Sequence, residues 1–438
     1  MRTNKWILIT ALAAAAVSLF TLQQGCKKSP ESGVVLIVLD TLRADHLPFY
    51  GYEKNTAPFL SELASQSIVF GNVFSASSWT APASASIFTS LYPFQHGVTT
   101  GFIASKYLKV ELNRIPGEIK TITEVLKENG YKTYGVADNV NICEEEGFTQ
   151  GFDRFKLFPY KNGKKINRQL EEWVKEIKAQ KKYFLYIHYN DCHHPYHPRK
   201  PWYKPQKKKR RDLIARYDSE INYVDTKIKK MYKLFGWDKN TLLIVTSDHG
   251  EEFWEHKGKR HGRSLYSEVI RVPLLIYFPE KDRGHKRIMI NVSNMDILPT
   301  VRGYLDIESK EVEAGINLMP AIDGNENNMH ERYIFSHLFR YSRYHDGKKK
   351  FHKATIFKDW KYIFVDKFQK SFRRELYNMR EDPREKSNVY KKNETLAKLL
   401  FSKFAAFEKN CEKFDQEIKR LKLDKKKMEE LKTLGYVK

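Results

Sequence analysis

The sequence predicts an α/β fold with a large domain built on buried strands and a smaller unit after it. Three observations carry this. Val34–Leu39, Tyr183–Tyr189 and Thr241–Ser247 are near-continuous apolar runs rich in β-branched and aromatic residues, the pattern of strands covered on both faces. Stretches with helical spacing at 55–66, 121–129, 167–178 and 212–235 fall between the runs or beside them, as α/β connections require. Beyond about residue 325 the character changes, and segments 353–365 and 371–379 alternate between turn residues.

Composition sets the frame. The chain has 438 residues, 41% of them hydrophobic, enough for a sizeable core. Its 77 basic and 53 acidic residues give a formal charge of +24. Basic runs stand at Lys207-Lys208-Lys209-Arg210-Arg211, Lys348-Lys349-Lys350 and Lys425-Lys426-Lys427. They are scattered and no nucleic-acid motif accompanies them, so an anionic substrate or lipid surface is the expected partner.

At the N-terminus, Arg2 and Lys5 precede an uncharged run from Trp6 to Leu22, then Gly25-Cys26. This reads as an export signal, shorter than the roughly 20 residues of a spanning helix. Lipidation at Cys26 is one outcome and an uncleaved anchor the other. Both put the protein outside the cytoplasm, attached to a membrane. Cys143, Cys192 and Cys411 complete an unpatterned set with no disulfide framework.

Taken in order, the strand Val34–Leu39 ends at Asp40, where open α/β sheets gather ligands. A helix follows over 55–66. Thr80 comes next, with Pro82 two positions later, so a helix starts at or just before Thr80 and runs through about Leu91. A hydroxyl there faces backbone N–H groups and the positive end of the helix dipole. It is either an N-cap or a nucleophile placed against an anionic ester. Helix 121–129, strand 132–137 and helix 167–178 lead to the strand Tyr183–Tyr189, which ends near Asp191 and His193. Helix 212–235 leads to the strand Thr241–Ser247, which ends at Asp248-His249. A strand is expected over Val272–Phe278. The apolar positions Leu396, Leu400, Phe404, Phe407, Cys411, Phe414, Ile418 and Leu421 have helical spacing.

The stretch Ser78-Trp79-Thr80-Ala81-Pro82-Ala83-Ser84-Ala85-Ser86-Ile87-Phe88-Thr89-Ser90-Leu91 resembles the sulfatase active-site motif, Cys/Ser-x-Pro-Ser-Arg followed by a Leu-Thr-Gly-type helix. Leu39–His46, Gly147–Asp153, Asp191–Tyr196, Val272–Phe278, Asp296–Thr300 and Glu375–Asn388 are similar to other family segments, so the resemblance covers about 33–390. Leu431–Tyr436 adds a terminal match. The chain departs in three places, the first being Thr41, which follows Asp40 where sulfatases often carry a second aspartate, so that fewer metal ligands are implied. Thr80 stands where sulfatases oxidise Cys or Ser to formylglycine, and Ser84 stands at the arginine position. Oxidising threonine would give a ketone, so a direct threonine nucleophile resembles instead the phosphatases and phosphoethanolamine transferases of the alkaline phosphatase superfamily.

The resemblance implies an alkaline-phosphatase-like three-layer sandwich with a central mostly parallel sheet, a small C-terminal antiparallel-sheet subdomain and a terminal helix. The expected boundaries are a signal or lipoprotein segment 1–26, a catalytic domain 33–325, a subdomain 326–390 and a helical tail 391–438. It implies a divalent metal (Zn, Ca, Mg or Mn) held by Asp40, Thr80, Asp248 and His249, with Thr80 as nucleophile. His193 and His261 are implied to protonate the leaving oxygen or to hold a second metal. Arg43 and His46 are candidates to support the Asp40 loop. Lys257, Lys259, Arg260 and Arg263 are either anion attractors or a solvated face. His194, His197 and His256 miss the motif positions. The activity implied is hydrolysis of phosphoric or sulfuric esters, of a glycan or a lipid head group. The alternatives are a sulfatase working without formylglycine, a phosphoethanolamine-type transferase and a non-catalytic binding protein.

Overall fold

The structure is a computed structural model. It describes residues 33–429 apart from 103–108, 159–160, 280–282, 328, 342–348, 367–371, 416, 423–424 and 426–427. The N-terminal segment with Cys26 and the Leu431–Tyr436 match lie outside the described residues. Among the described residues no helix is long and apolar enough to cross a membrane.

The strands, in chain order, are β1 (Gly33–Leu39), β2 (Ile68–Phe74), β3 (Lys109–Arg114), β4 (Lys132–Ala137), β5 (Arg154–Leu157), β6 (Tyr183–Tyr189), β7 (Thr241–Thr246), β8 (Glu252–Phe253), β9 (Lys259–Arg260), β10 (Leu274–Tyr277), β11 (Lys286–Ser293), β12 (Ile334–Tyr341), β13 (Lys349–Phe357), β14 (Trp360–Asp366), β15 (Phe372–Asn378) and β16 (Glu417–Lys422). The main sheet has the order β11-β2-β10-β7-β1-β6-β4-β5. All its pairings are parallel except the two made by β10, with β7 and β2. The helices that matter here are α1 (Thr80–Thr89), α2 (Gly163–Lys178), α3 (Lys209–Phe235), α4 (Ile297–Leu305) and α5 (Glu394–Asn410).

The apolar runs are explained by two cores, one on each face of the sheet. Val34, Leu36 and Val38 of β1 pack with Ala81, Ala85 and Phe88 of α1 and with Ile297 and Val301 of α4. Val35, Ile37 and Leu39 pack on the other face with Ile166 and Leu170 of α2 and Ile221 and Ile228 of α3. A central strand with both faces buried has no polar alternation to keep. The result is three layers, helices over a mostly parallel sheet over helices.

The second sheet, β12-β13-β14-β15, is antiparallel throughout. One of its faces packs on Phe74, Leu265, Tyr266 and Ile270 of the large domain. Tyr362, Phe364 and Leu376 pack with Ala397 and Leu400 of α5.

The helical spacing from Leu396 to Leu421 holds only in part. Helix α5 ends at Asn410, because Cys411 turns to an extended backbone (φ −73°, ψ 150°). Residues 417–422 instead form β16, antiparallel to β3. Backbone groups of a β3 edge give that segment a pairing that helical periodicity cannot register. Strands β2 and β11 were also not evident in the sequence. Cys143 and Cys192 are buried free thiols, and Cys411 is free and half-buried.

Candidate active site

The site lies where four neighbouring strands end. Their order β7-β1-β6-β4 brings together Asp248 and His249, Asp40, His188 and Asn139. Helix α1 adds Thr80 as its first residue. Strand β2 leads into the loop before α1, and that loop is fixed by Ser75 N–H donating to Ile270 O at 2.8 Å.

Asp40 is fully buried. Its Oδ2 accepts from Asn139 Nδ2 at 2.5 Å and lies 3.3 Å from His188 Nε2. The Thr80 hydroxyl is 3.4 Å from Asp40 Oδ2, from His249 Nε2 and from Asn139 Nδ2. His249 Nδ1 donates to Gly250 O at 2.8 Å, which leaves the Nε2 lone pair facing Asp40 and Asp248. Burial, reinforced by the nearby His261, holds the His249 pKa down to about 3, so the ring is neutral.

The two carboxylates have opposite tendencies. Burial raises Asp40, but the His188 hydrogen bond and the neighbouring histidines outweigh it and hold the group ionised. Asp248 is pushed up by burial and by the charge of Asp40. Two facing carboxylates resist double ionisation unless a cation sits between them.

The donor set fits a divalent metal. Asp40, Asp248 and His249 each place one ligand atom within 4.8 Å of the others. Asp40 Oδ1 and Asp248 Oδ2 are buried with no hydrogen-bond partner, a cost that a cation removes. Oxygen and imidazole donors suit Zn, Mn or Mg. Thr41 follows Asp40 with φ +60°, an outlier for a β-branched residue and one of the strained positions that cluster at sites.

His193 and His261 join the same group. The His261 ring centre is 4.5 Å from that of His249 and 4.9 Å from that of His193. Glu251 Oε1 is 2.9 Å from His261 Nδ1, and Tyr196 O–H donates to Glu251 Oε2 at 2.6 Å. Burial opposes the charge on His261, but Glu251 outweighs it and the pKa is raised. His193 is lowered to about 4, chiefly by burial. Two adjacent histidines are therefore pushed in opposite directions, as an acid and its neutral neighbour are.

The remaining candidates separate. Arg43 pairs with Asp45 and Glu255 at 2.7 and 2.8 Å and braces the Asp40 loop. His46 is 2.8 Å from Asp218, in the same brace. His197 is exposed, and His256 is engaged elsewhere. Ser84 is buried with its hydroxyl unpartnered. Asn139, His188, Glu251 and Asn294 were not assigned from the sequence. Asn139 and His188 stand at strand ends, the one signal that could have found them. Asn294 Nδ2 donates to Ser247 O and Asp248 O at 3.0 and 3.3 Å, and only the fold brings it there.

The family model described as Sulfatase matches residues 32–307, which include this whole cluster. The chain belongs to the sulfatase family. This makes it an ester hydrolase by membership. A second model, N-sulphoglucosamine sulphohydrolase, C-terminal, matches residues 254–409 of the sulfatase chain. The sulfatase is 22% identical over 432 residues to "Uncharacterized sulfatase YidJ" of Escherichia coli K12, covering 81% of this chain and 82% of that one. Its fold is that of the phosphonate monoester hydrolase of Agrobacterium radiobacter, with a TM-score of 0.70, 17% identity and 86% and 95% of the chains covered. It is equally that of an enzyme solved with its substrate D-glucosamine-2-N,6-O-disulfate, with a TM-score of 0.69, 17% identity and 86% and 98% covered.

Proposed function

We propose that this sulfatase-family chain is a metal-dependent hydrolase of anionic esters that uses the unmodified Thr80 hydroxyl as its nucleophile. The sulfate ester of a glycan is its first-choice substrate. The observation that carries the reading is the buried Thr80 hydroxyl, 3.4 Å from both Asp40 Oδ2 and His249 Nε2 at a helix start. Asp40, Thr80, Asp248 and His249 would hold the metal. When bound, a divalent cation lowers the pKa of an adjacent hydroxyl and neutralises charge on the transferring group.

The chain's own residues do the rest. Asp40 and His249 orient the hydroxyl, and Asp40 Oδ2 accepts its hydrogen bond. Asn139 donates to the same carboxylate and keeps it turned toward Thr80. Thr80 Oγ1 attacks sulfur in line as its proton passes to Asp40 Oδ2, and the ester oxygen leaves as an alcohol with a proton from His261, whose pKa Glu251 raises. Water then attacks the sulfur of the threonine ester and gives a proton to His261, while Asp40 returns its proton to the Thr80 oxygen, so hydrogen sulfate leaves and the site is restored. His193 completes the wall on the His261 side.

A specific observation favours a second reading, cleavage of phosphate or phosphonate esters. Threonine replaces the oxidisable residue of the sulfatase motif, and a phosphonate monoester hydrolase shares the fold. Turnover of matched aryl sulfates, phosphates and phosphonates with defined metals, by wild type and Thr80→Ala, tests both readings. Loss of all turnover in the variant is expected. Full turnover in the variant would remove Thr80 as the nucleophile; the cap reading is already excluded, because Trp79 holds the N-cap position and the Thr80 hydroxyl makes no capping bond.

Export and membrane attachment belong to the same proposal. They rest on Arg2, Lys5, the Trp6–Leu22 run and Gly25-Cys26. The intact mass of membrane-extracted protein tests them. A diacylated chain beginning at Cys26 is expected, and an unmodified Cys26 still carrying residues 1–25 would end the lipoprotein claim.

A further inference from the structure

The β8–β9 hairpin carries the candidate acid His261 at its end, and it also carries charge that no carboxylate among the described residues pairs. Lys257, Lys259, Arg260 and Arg263 are all exposed, and among the described residues none has a carboxylate within ion-pair distance. Three cations around the site are compensated. Arg43 has Asp45 and Glu255, Arg199 has Asp191 and Glu220, and Lys161 has Glu220.

Arg260 is held in a particular way. Its Nη2 donates to His194 Nε2 at 3.1 Å. A guanidinium only donates, so this imidazole nitrogen is a lone pair and His194 is neutral. The anchor fixes the guanidinium without cancelling its charge. It also fixes the guanidinium beside the site, since His193 precedes His194 and His261 follows Arg260.

The hairpin is rigid by construction. Trp254, Lys257 and Arg260 all have positive φ, at 64°, 66° and 69°. Non-glycine residues keep that conformation only where the surroundings impose it. Here Glu252 Oε1 accepts from Gly258 N–H and His256 N–H at 2.9 and 3.3 Å. Gly262 N–H donates to Ser78 O at 2.8 Å and ties the hairpin to the Thr80 loop. The hairpin also abuts the basic start of α3, where Arg210 Nε donates to Phe253 O at 2.5 Å. Lys207, Lys208, Lys209 and Arg211 there are exposed.

We infer that the β8–β9 hairpin is an anion subsite for a second charged group of the substrate, and that Arg260 is its specificity-determining residue. The substrate class is then a polyanionic glycan, with one ester in the Thr80 pocket and a neighbouring sulfate or carboxylate on Arg260, Lys257 and Lys259. This rests on the ester-hydrolase reading for its substrate but not on Thr80 as nucleophile. Guanidinium favours such oxyanions through paired N–H donors.

The test measures binding in a Thr80→Ala background at about 0.15 M salt. The probes are a dextran sulfate oligosaccharide, an oligogalacturonate and phosphatidylglycerol vesicles. Lys257→Ala/Lys259→Ala/Arg260→Ala should weaken one oligosaccharide about tenfold or more, as loss of central charged contacts does. The oligosaccharide that weakens more identifies sulfate or carboxylate as the second group. Lys178→Ala/Lys233→Ala/Lys239→Ala removes the same charge at the opposite end of the strands and should change affinity less than about twofold. Arg260→Lys should fall between wild type and the triple variant, since charge survives without the paired donors. Equal losses from both triple variants would reduce the effect to the overall +24 charge and overturn the subsite. Loss confined to vesicles would assign the face to lipid and also overturn it. If Thr80→Ala retains turnover, only the nucleophile assignment falls.

Discussion

Two clusters in this molecule each gather three residues of the kind that bind metals, and they differ in one respect. Asp40, Asp248 and His249 form one, and Glu252, His256 and Glu268 form the other. In the first, two carboxylate oxygens have no partner and an imidazole lone pair faces them. In the second, every ligand is already used. His256 Nδ1 is 2.6 Å from Glu268 Oε1 and its Nε2 is 2.8 Å from Glu385 O, so both ring nitrogens donate. Glu252 accepts from two backbone N–H groups. The first cluster holds unspent bonding capacity and suits chemistry. The second is a clasp that ties the hairpin to the C-terminal subdomain, continued by Glu385 with Lys361 at 2.8 Å and with Ser267 N–H at 2.8 Å. Residue type alone does not separate a site from a brace; satisfaction of the donors and acceptors does.

Four substitutions break or sharpen this contrast. Thr80→Ala should lose at least three orders of magnitude in kcat, about 4 kcal/mol, while stability falls by no more than a lost side-chain hydrogen bond, about 1 kcal/mol. Steady-state kinetics beside calorimetry would show it. Lys361→Met leaves the Glu385 carboxylate buried and unpaired, so it should destabilise the fold by about 3 kcal/mol. Denaturant titration would register that, and unchanged stability would dissolve the clasp. Asp248→Asn should cut bound metal by about tenfold or more, roughly 1.4 kcal/mol, whereas Glu268→Gln should leave metal content as it was. Elemental analysis of both folded variants decides whether the two clusters differ as argued.

The smallest effect concerns pH. Burial opposes charge on His256, but Glu268 outweighs it and raises the folded pKa above 6.5. A raised pKa contributes stability that is full below the unfolded value of about 6.5 and is lost as pH climbs through the folded value. The cost of burying the two charges offsets most of their attraction, so the net term is about 1 kcal/mol or less. His256→Gln should therefore cost more stability at pH 5.5 than at pH 8.5, and an equal cost at both values would deny the charged clasp.

The same contrast explains what the sequence disclosed. Strands β1, β6 and β7 were legible because both of their faces are covered, which removes all alternation. Thr80 was legible because Pro82 marks a helix start. Strand β2 was not, because Gly71 and Asn72 interrupt it and Asn72 is half-buried. Strand β11 sits at the sheet's edge, mixes buried with exposed positions and opens with Lys286-Arg287. Asn139 and His188 became partners of Asp40 only through the strand order β1-β6-β4, which no local pattern encodes. Glu251 was in view beside His249, yet its role depends on the hairpin folding back to bring His261 to it. The last turns of the helical pattern after Asn410 failed because β3 offered another pairing.

The reversal of β10 has a consequence for how this enzyme can diversify. Strand β7 ends at the site, and β10 returns beside it in the opposite sense. The connection from Ser247 to Pro273 therefore begins and ends on the same side of the sheet and need not cross it. Insertions and deletions there leave the register of the main-sheet strands untouched. The exposed side chains of the hairpin, Lys257, Lys259 and Arg260, are thus replaceable on a fixed frame, whereas His256 in the clasp and His261 at the site are not. Exchanging those side chains for others of different charge would alter which substrates are accepted without rebuilding the scaffold.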